Sequence, residues 1–265
     1  MFRKLFGLAE KRQPKPNHIL SMPLLRSHMD FVASDVVKKA KELFPMWPVE
    51  LGEGSDKGAA MFGVPSLSAG VMVMPMPTSL PPGELDHSLP MSPFWVDAKD
   101  KPAHGSHVVM VGQGESLSAA AQAATVVGIS MLNLPGGVAW YVGGGCMVHD
   151  IEVVTDLATE SARDGDFPVP IWVNVIVSKN PAGGLDASTV GMDAFGHMEM
   201  EAIGSREELA DVRSRLFGAA VYVISNDVVF KHGETMGESA TERIRIEVGK
   251  SKLGKDGKVV RFVMP

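Results

Sequence analysis

Cysteine is nearly missing from this chain: Cys146 is the only one in 265 residues. A single thiol excludes an internal disulfide framework and fits a reducing compartment, so the fold must rest on core packing. Charge is sparse as well, at 21% of residues, with a formal net charge of −6. That balance excludes the nucleic-acid binders whose affinity comes from phosphate neutralisation by a concentrated basic face. Long hydrophobic runs are also missing. The longest, such as 169–178, extend over about 10 residues, whereas a membrane-spanning helix needs about 20. No transmembrane segment is therefore expected. Residues 1–16 have neither the apolar core nor the cleavage site of a secretory signal. A cytoplasmic location is the resulting expectation. The patterns CxxC, HExxH and GxGxxG do not occur, so no metal, no cofactor and no catalytic residue is expected.

What is present is enough for a globular core. The chain is 45% hydrophobic at 28.3 kDa, and at that size roughly 70% of the unfolded surface is buried. Three regions are expected: a basic amphipathic arm at 1–16, an α+β half at 17–101 and a second α+β half at 102–265, the two halves being compatible with one compact domain. In the arm, Arg3, Lys4, Lys11, Arg12 and Lys15 outnumber Glu10, and Phe2, Leu5, Phe6 and Ala9 share one helical side. Docking on a membrane surface or a partner is one reading; a frayed terminus is the other.

Ser34–Pro45 reads as a capped helix, and 59–64 with 69–76 as a strand pair. Met72, Met74 and Met76 share one strand face. Core packing is the expectation for them, with an adaptable binding surface as the alternative. The stretch 77–93 holds five prolines and reads as a long surface loop. Strands are expected at 107–111 and 138–142, around an Ala-rich, nearly uncharged helix from Ser116 that must be buried between layers. Helical residues 150–165 precede a strand at 171–178, a loop to 188 and a strand at 189–203. Ser205 with Glu208 forms a capping-box pattern for the next helix. Strands at 220–225 and 228–233 and a hairpin at 254–258 complete the chain. The fold class is α+β, with mixed or antiparallel sheets, helices packed on one face, and two strand-helix-strand units near 107–142 and 190–224 that suggest a degenerate duplication.

Several groups invite chemistry. His104 and His107 lack further metal ligands at matching spacing. Cys146 follows a Gly-rich turn and precedes His149, a nucleophile-like placement in which a packed thiol is the default. Gly112 and Gly114 open a helix, but Glu115 stands where a phosphate would sit. The densest group lies at 189–204. If 195–201 is extended, His197, Glu199 and Glu201 share a face, with Asp193 beside them and His232 and Glu234 within reach on a neighbouring strand. Such a cluster is either a solvated sheet face or a binding site, with acid/base work as a third option.

The blocks TVGMDAFGHMEMEAI at 189–203 and VVFKHGETMGES at 228–239, with weaker stretches at 74–85, 94–98, 106–111 and 139–145, resemble a bacterial domain-of-unknown-function family, the one numbered 4261. The resemblance extends over most of 20–240, leaving out the arm and the final hairpin. It implies a cytosolic α+β protein. It brings no catalytic residues with it, and its members keep company with toxin-neutralising proteins. The functional expectation is a non-enzymatic protein-binding protein, with an immunity protein capping a toxin domain as its specific form. The alternative is a small-molecule binder or enzyme using the His/Glu cluster.

Overall fold

In a computed structural model, residues 18–27, 32–52, 59–95, 100–237 and 242–264 are described. The arm at 1–16 lies outside them. The first sheet has seven strands: β1 (Ile19–Leu25), β2 (Glu50–Leu51), β3 (Ala60–Val64), β4 (Ala69–Met76), β5 (Ser106–Gly114), β6 (Gly137–Val142) and β7 (Met147–Asp150). Their order is β2-β3-β4-β5-β1-β6-β7, and every neighbouring pair is antiparallel. Helices α1 (Ala33–Leu43), α2 (Leu117–Leu132) and α3 (Ile151–Asp164) lie to one side, α2 against β1, β4 and β5, with α1 and α3 packed on α2.

The buried helix predicted from its composition is α2. Ser116 caps it, accepting a hydrogen bond from the Ala119 backbone N–H at 3.1 Å, and nearly every residue from Ala120 to Leu132 is buried. Its small side chains let it approach the sheet closely. A Cβ at Gly112 would stand 2.6 Å from the Ala120 carbonyl oxygen, so the glycine that resembled part of a phosphate loop instead makes room for a helix.

The second sheet contains β8 (Asn174–Lys179), β9 (Leu185–Val190), β10 (Met200–Ser205), β11 (Thr235–Met236), β12 (Ile244–Lys250) and β13 (Lys258–Val263), in the order β11-β12-β13-β10-β9-β8. Only β10 and β13 pair in parallel. A helical turn, α4 (Val169–Trp172), precedes it, and α5 (Leu209–Asn226) packs on β8, β9 and β10. One continuous apolar core joins the helix sides of both sheets, with Trp140 and Trp172 meeting edge to face at 5.6 Å. The fold is α+β, with helices on one face of mostly antiparallel sheets.

Some local expectations change. Residues 220–225, expected as a strand, belong to α5. Val212, Leu216, Ala219, Ala220, Val223 and Ile224 are its buried residues, and their helical spacing against the sheet overrides the strand preference of a Val-Tyr-Val-Ile run. The second strand-helix-strand unit therefore does not form, and in the first unit β1 lies between β5 and β6. Ser205 ends β10 rather than capping α5; its Oγ accepts from the Glu207 N–H at 3.2 Å. The strand expected from Ile171 begins at Asn174 after the α4 turn, and β9 begins at Leu185 inside the expected loop. The 101/102 boundary falls within the first sheet, between the paired strands β4 and β5.

The proline-rich stretch is more than a surface loop. Leu80, Leu85 and Leu89 bury themselves with Leu24, Ala139, Tyr141 and Val148 on the face of the first sheet opposite α2. His104 Nε2 accepts from the Leu80 N–H at 3.1 Å, and His107 Nδ1 donates to the Thr78 carbonyl at 2.8 Å. The two histidines thus pin the start of this cover. Among the described residues this cluster takes in β1, β6 and β7 and no residue of β3, β4 or β5.

Replacing Gly112 with Ala forces the α2 backbone away from β5 and is expected to lose about 1–3 kcal/mol of unfolding free energy. Gly63→Ala, with nothing within 4 Å of the added methyl, should stay within about 0.5 kcal/mol. Denaturant unfolding of both variants checks this, and equal losses would refute the close-approach account.

Candidate functional site

The predicted polar face does not form as one surface. Asp193–Phe195 is a 3₁₀ turn ended by Gly196 at φ 74°, a left-handed position that interrupts the strand, and the ladder resumes only at Met200. Asp193 stands exposed on that turn. The His197 side chain is 6% exposed, 3.6 Å from Asp227 Oδ1, and its backbone N–H donates to the Met192 carbonyl at 3.1 Å.

Glu201 is fully buried. Its carboxylate accepts from Arg261 at 2.6 and 2.8 Å, from Ser251 Oγ at 2.8 Å and from the Lys252 N–H at 3.1 Å. Both faces of β10 are covered here: α5 takes the Met200 and Ala202 side, and the turn at 251–253 closes over Glu201. That is why no solvated polar stripe exists. Glu201 carries tertiary structure, since its partners lie 50–60 residues away in sequence.

His232 and Glu234 lie apart from this group. The Val248 N–H donates to His232 Nδ1 at 3.2 Å, and Glu234 accepts from the Lys231 N–H at 2.8 Å. Both are exposed beside β11 and β12, and β12 and β13 separate that edge from β10. The two sequence blocks do not converge on one pocket.

A second constellation forms where the Gly143–Cys146 turn meets the 191–199 turn. Gly191, at φ 112°, brings its Cα so close that an added Cβ would meet the Trp172 carbonyl oxygen at 2.6 Å and Gly145 Cα at 3.2 Å. Glu199 accepts from Thr189 Oγ1 at 2.5 Å, the Gly191 N–H at 2.8 Å and the Met192 N–H at 3.1 Å. Burial pushes its pKa up, against the pull of the Thr189 and Gly191 hydrogen bonds and of Lys255. Cys146 takes the left-handed conformation at φ 49°. Burial raises its thiol pKa, with Lys255 opposing and Asp193 and Glu199 adding to the rise, so the thiol stays protonated near neutrality.

A cavity of about 240 Å³ opens beside this junction, lined by Leu20, Val142, Gly144, Gly145, Trp172 and Ala194 among others. None of the predicted His, Glu or Asp residues lines it. His149 is not a base for Cys146. Its Nε2 donates to the Ile171 carbonyl at 2.9 Å, its Nδ1 has no hydrogen-bond partner, and complete burial lowers its pKa to about 4. Among the described residues, no group of three or more His, Cys, Asp or Glu is placed to hold a metal, and no helix is long and apolar enough to cross a membrane.

A further feature of the described residues is apolar. Leu20, Val111, Met72 and Met61 stand directly opposite one another across β1, β5, β4 and β3, on the face away from α2. Leu20 is 45% and Met61 46% exposed, and Met76 is 39% exposed farther along β4. Met74 and Val109, another registered pair on this face, are half-buried. The methionine stripe therefore does not pack into the core as expected. Val71 and Val73, on the other side of β4, take the core positions. The period-two alternation gave the stripe. Only the sheet's layering decided which of its faces met the helices.

Residues 188–262 match the sequence profile of a family described as a domain of unknown function, DUF4261. The match begins in β9 and ends in β13, so it takes in the second sheet without β8, together with α5. It contains both sequence blocks and also the final hairpin, which the resemblance had left out. The weaker stretches at 74–145 lie outside it. No curated protein and no solved structure matches the chain.

Glu201→Gln leaves Arg261 buried beside a neutral partner and is expected to cost about 3–5 kcal/mol in denaturant unfolding, whereas Glu234→Gln should change stability by less than about 0.5 kcal/mol. A silent Glu201 variant would contradict the structural role. His149 generates a pH signature. Its folded pKa lies below the usual 6.5, so the unfolded chain binds the proton more readily. Its contribution is constant above about pH 6.5, and stability falls as pH drops towards 4, by a total on the order of 3 kcal/mol. Glu199, whose folded pKa is raised, slopes the opposite way, so wild type and His149→Leu must be compared. The variant should lack the acid-side loss, and parallel pH profiles would exclude His149 as its source.

Proposed function

We propose that this protein is a non-enzymatic protein-binding protein and that the open face of the first sheet is its docking surface. The observation that carries the reading is the registered row Leu20–Val111–Met72–Met61, with Leu20 and Met61 exposed and Val111 and Met72 half-buried, on a sheet whose opposite face is core. Contiguous apolar surface of this kind marks interaction sites, and methionine side chains adapt to irregular partners. The polar groups first considered for chemistry support a non-enzymatic role. Glu201 is neutralised by Arg261, and His197, His232 and Glu234 are engaged in local structural contacts.

The partner that fits is a protein with a basic, apolar-centred surface, given the net charge of −6 and the exposed carboxylate of Glu50, which pairs across from Gly63 on the same face as Met61. Neutralisation of a toxin domain in the cytoplasm is the specific form towards which the family resemblance points. A tight complex of this type buries about 1,200–2,000 Å².

The test is affinity capture from the native host with wild-type protein and with a Met61→Glu/Met72→Glu variant. One stoichiometric partner held by wild type and lost by the variant, at unchanged thermal midpoint, is the expected result. Equal capture by both proteins would place the interface elsewhere, and no partner for either would remove the reading.

A further inference from the structure

We infer that α5 is a self-association surface: two copies of this chain pair antiparallel along it, about a two-fold axis at Gly218, and Tyr222 of each copy seats in a hollow on the other. The helix packs on the second sheet, so the inference stands apart from the reading of the open face of the first sheet.

The starting observation is an uncharged, exposed helix face. A surface helix ordinarily turns charged residues to water. Helix α1 does so with Asp35, Lys38, Lys41 and Glu42, and α3 with Glu152, Asp156, Glu160, Arg163 and Asp164. On α5 every exposed position after Asp211 is uncharged: Ser214, Gly218, Val221, Tyr222, Ser225 and Asn226. Tyr222 is 49% and Val221 37% exposed. The nearby cations are turned aside, Arg213 towards the Val175 carbonyl at 3.5 Å and Arg215 onto Glu207 and Glu242 at 3.0 Å. Gly218 sits at the middle of this face. A Cβ there would meet nothing within 4 Å among the described residues, so no contact inside the chain calls for the glycine, although it weakens a helix relative to alanine. What it permits is close approach from outside.

The face is self-complementary about that point. Ser214 and Tyr222 stand equally far before and after Gly218, as do Asp211 and Ser225, and at about 100° per residue all of them look outward on one side. In the antiparallel pair the Tyr222 ring of one copy lies over Asp211, Ser214 and Arg215 of the other, and the Ser225 hydroxyl meets the Asp211 carboxylate. The two-fold makes each contact twice. At the place where the ring enters, a hollow of about 360 Å³ is lined by Arg206, Glu207, Glu208, Asp211, Ser214 and Arg215. Phe230 stacks on Tyr222 at 6.2 Å, which holds the ring ready and reduces the ordering needed on association. Charge agrees. Lys231, exposed, directly follows Phe230 and so accompanies Tyr222 towards a hollow where three carboxylates meet two guanidiniums. At about 27 Å, the length of α5, such an interface falls below about 1,200 Å² in total, the size of reversible, concentration-dependent contacts.

Sedimentation equilibrium of the full chain over roughly 1 µM to 1 mM tests this. Wild type is expected to move from 28.3 kDa towards twice that mass. Gly218→Glu sets two like charges against each other at the axis and should weaken association by about tenfold or more, at unchanged thermal midpoint, since the added side chain enters open space. Gly218→Lys should do the same, and an equimolar mixture of Gly218→Glu and Gly218→Lys should recover the wild-type dimer, because the axis pairs this position with itself. Val221→Glu, a separate change on the same face, should weaken association alike. A wild-type chain that stays monomeric throughout would overturn the inference, as would a mixture that fails to recover or association that neither Gly218→Glu nor Val221→Glu disturbs. A dimer abolished by Met61→Glu/Met72→Glu would overturn it in favour of the open face.

Discussion

A sheet has two faces, and among the described residues helices cover only one face of the first sheet. The seven-stranded sheet gains its core by pressing α2 onto β1, β4 and β5, at a distance only a glycine at 112 permits. With that contact made, every odd–even choice along β1, β3, β4 and β5 is settled: Val71 and Val73 go inward and Met72 and Met74 outward. The chain then meets the cost of the second face locally. A proline-rich stretch, pinned by His104 and His107, lays Leu80, Leu85 and Leu89 over one half. The other half is where the proposed function resides.

The second sheet solves a different problem. Its parallel β10–β13 contact brings Arg261 beside Glu201 and buries a charged pair. A buried pair of this kind is weak evidence for net stability, but it is strong evidence for register. Slipping β13 by one residue would turn Arg261 to the opposite face and leave a buried carboxylate without its cation. The family match at 188–262 coincides closely with this unit.

The two sheets meet through backbone. Gly145 and Gly191 crowd around the Trp172 carbonyl, and Glu199 fastens the 191–199 turn through its hydrogen bonds to Thr189, Gly191 and Met192. The Gly-rich turn before Cys146 and Glu199, considered separately in the sequence, are the joinery of this contact. Cys146, in a left-handed position at its rim, keeps a protonated thiol there.

Much of this was legible in the chain itself. Local pattern sufficed for α1, for α2 with its cap and its burial, for α3, for the β3–β4 pair and the last hairpin, and for the α+β class, because each depends on periodicity or capping within a few residues. Other features were not legible, and each for a physical reason. Whether 220–225 is helix or strand depends on what it packs against. Whether Glu201 is solvated or buried depends on Arg261, 60 residues away. Whether His197 and His232 share a site depends on two strands lying between them. Sequence by itself determined which residues alternate and which faces are apolar. The tertiary structure alone decided which apolar face became core and which stayed open, because that choice is made by a helix docking from elsewhere in the chain.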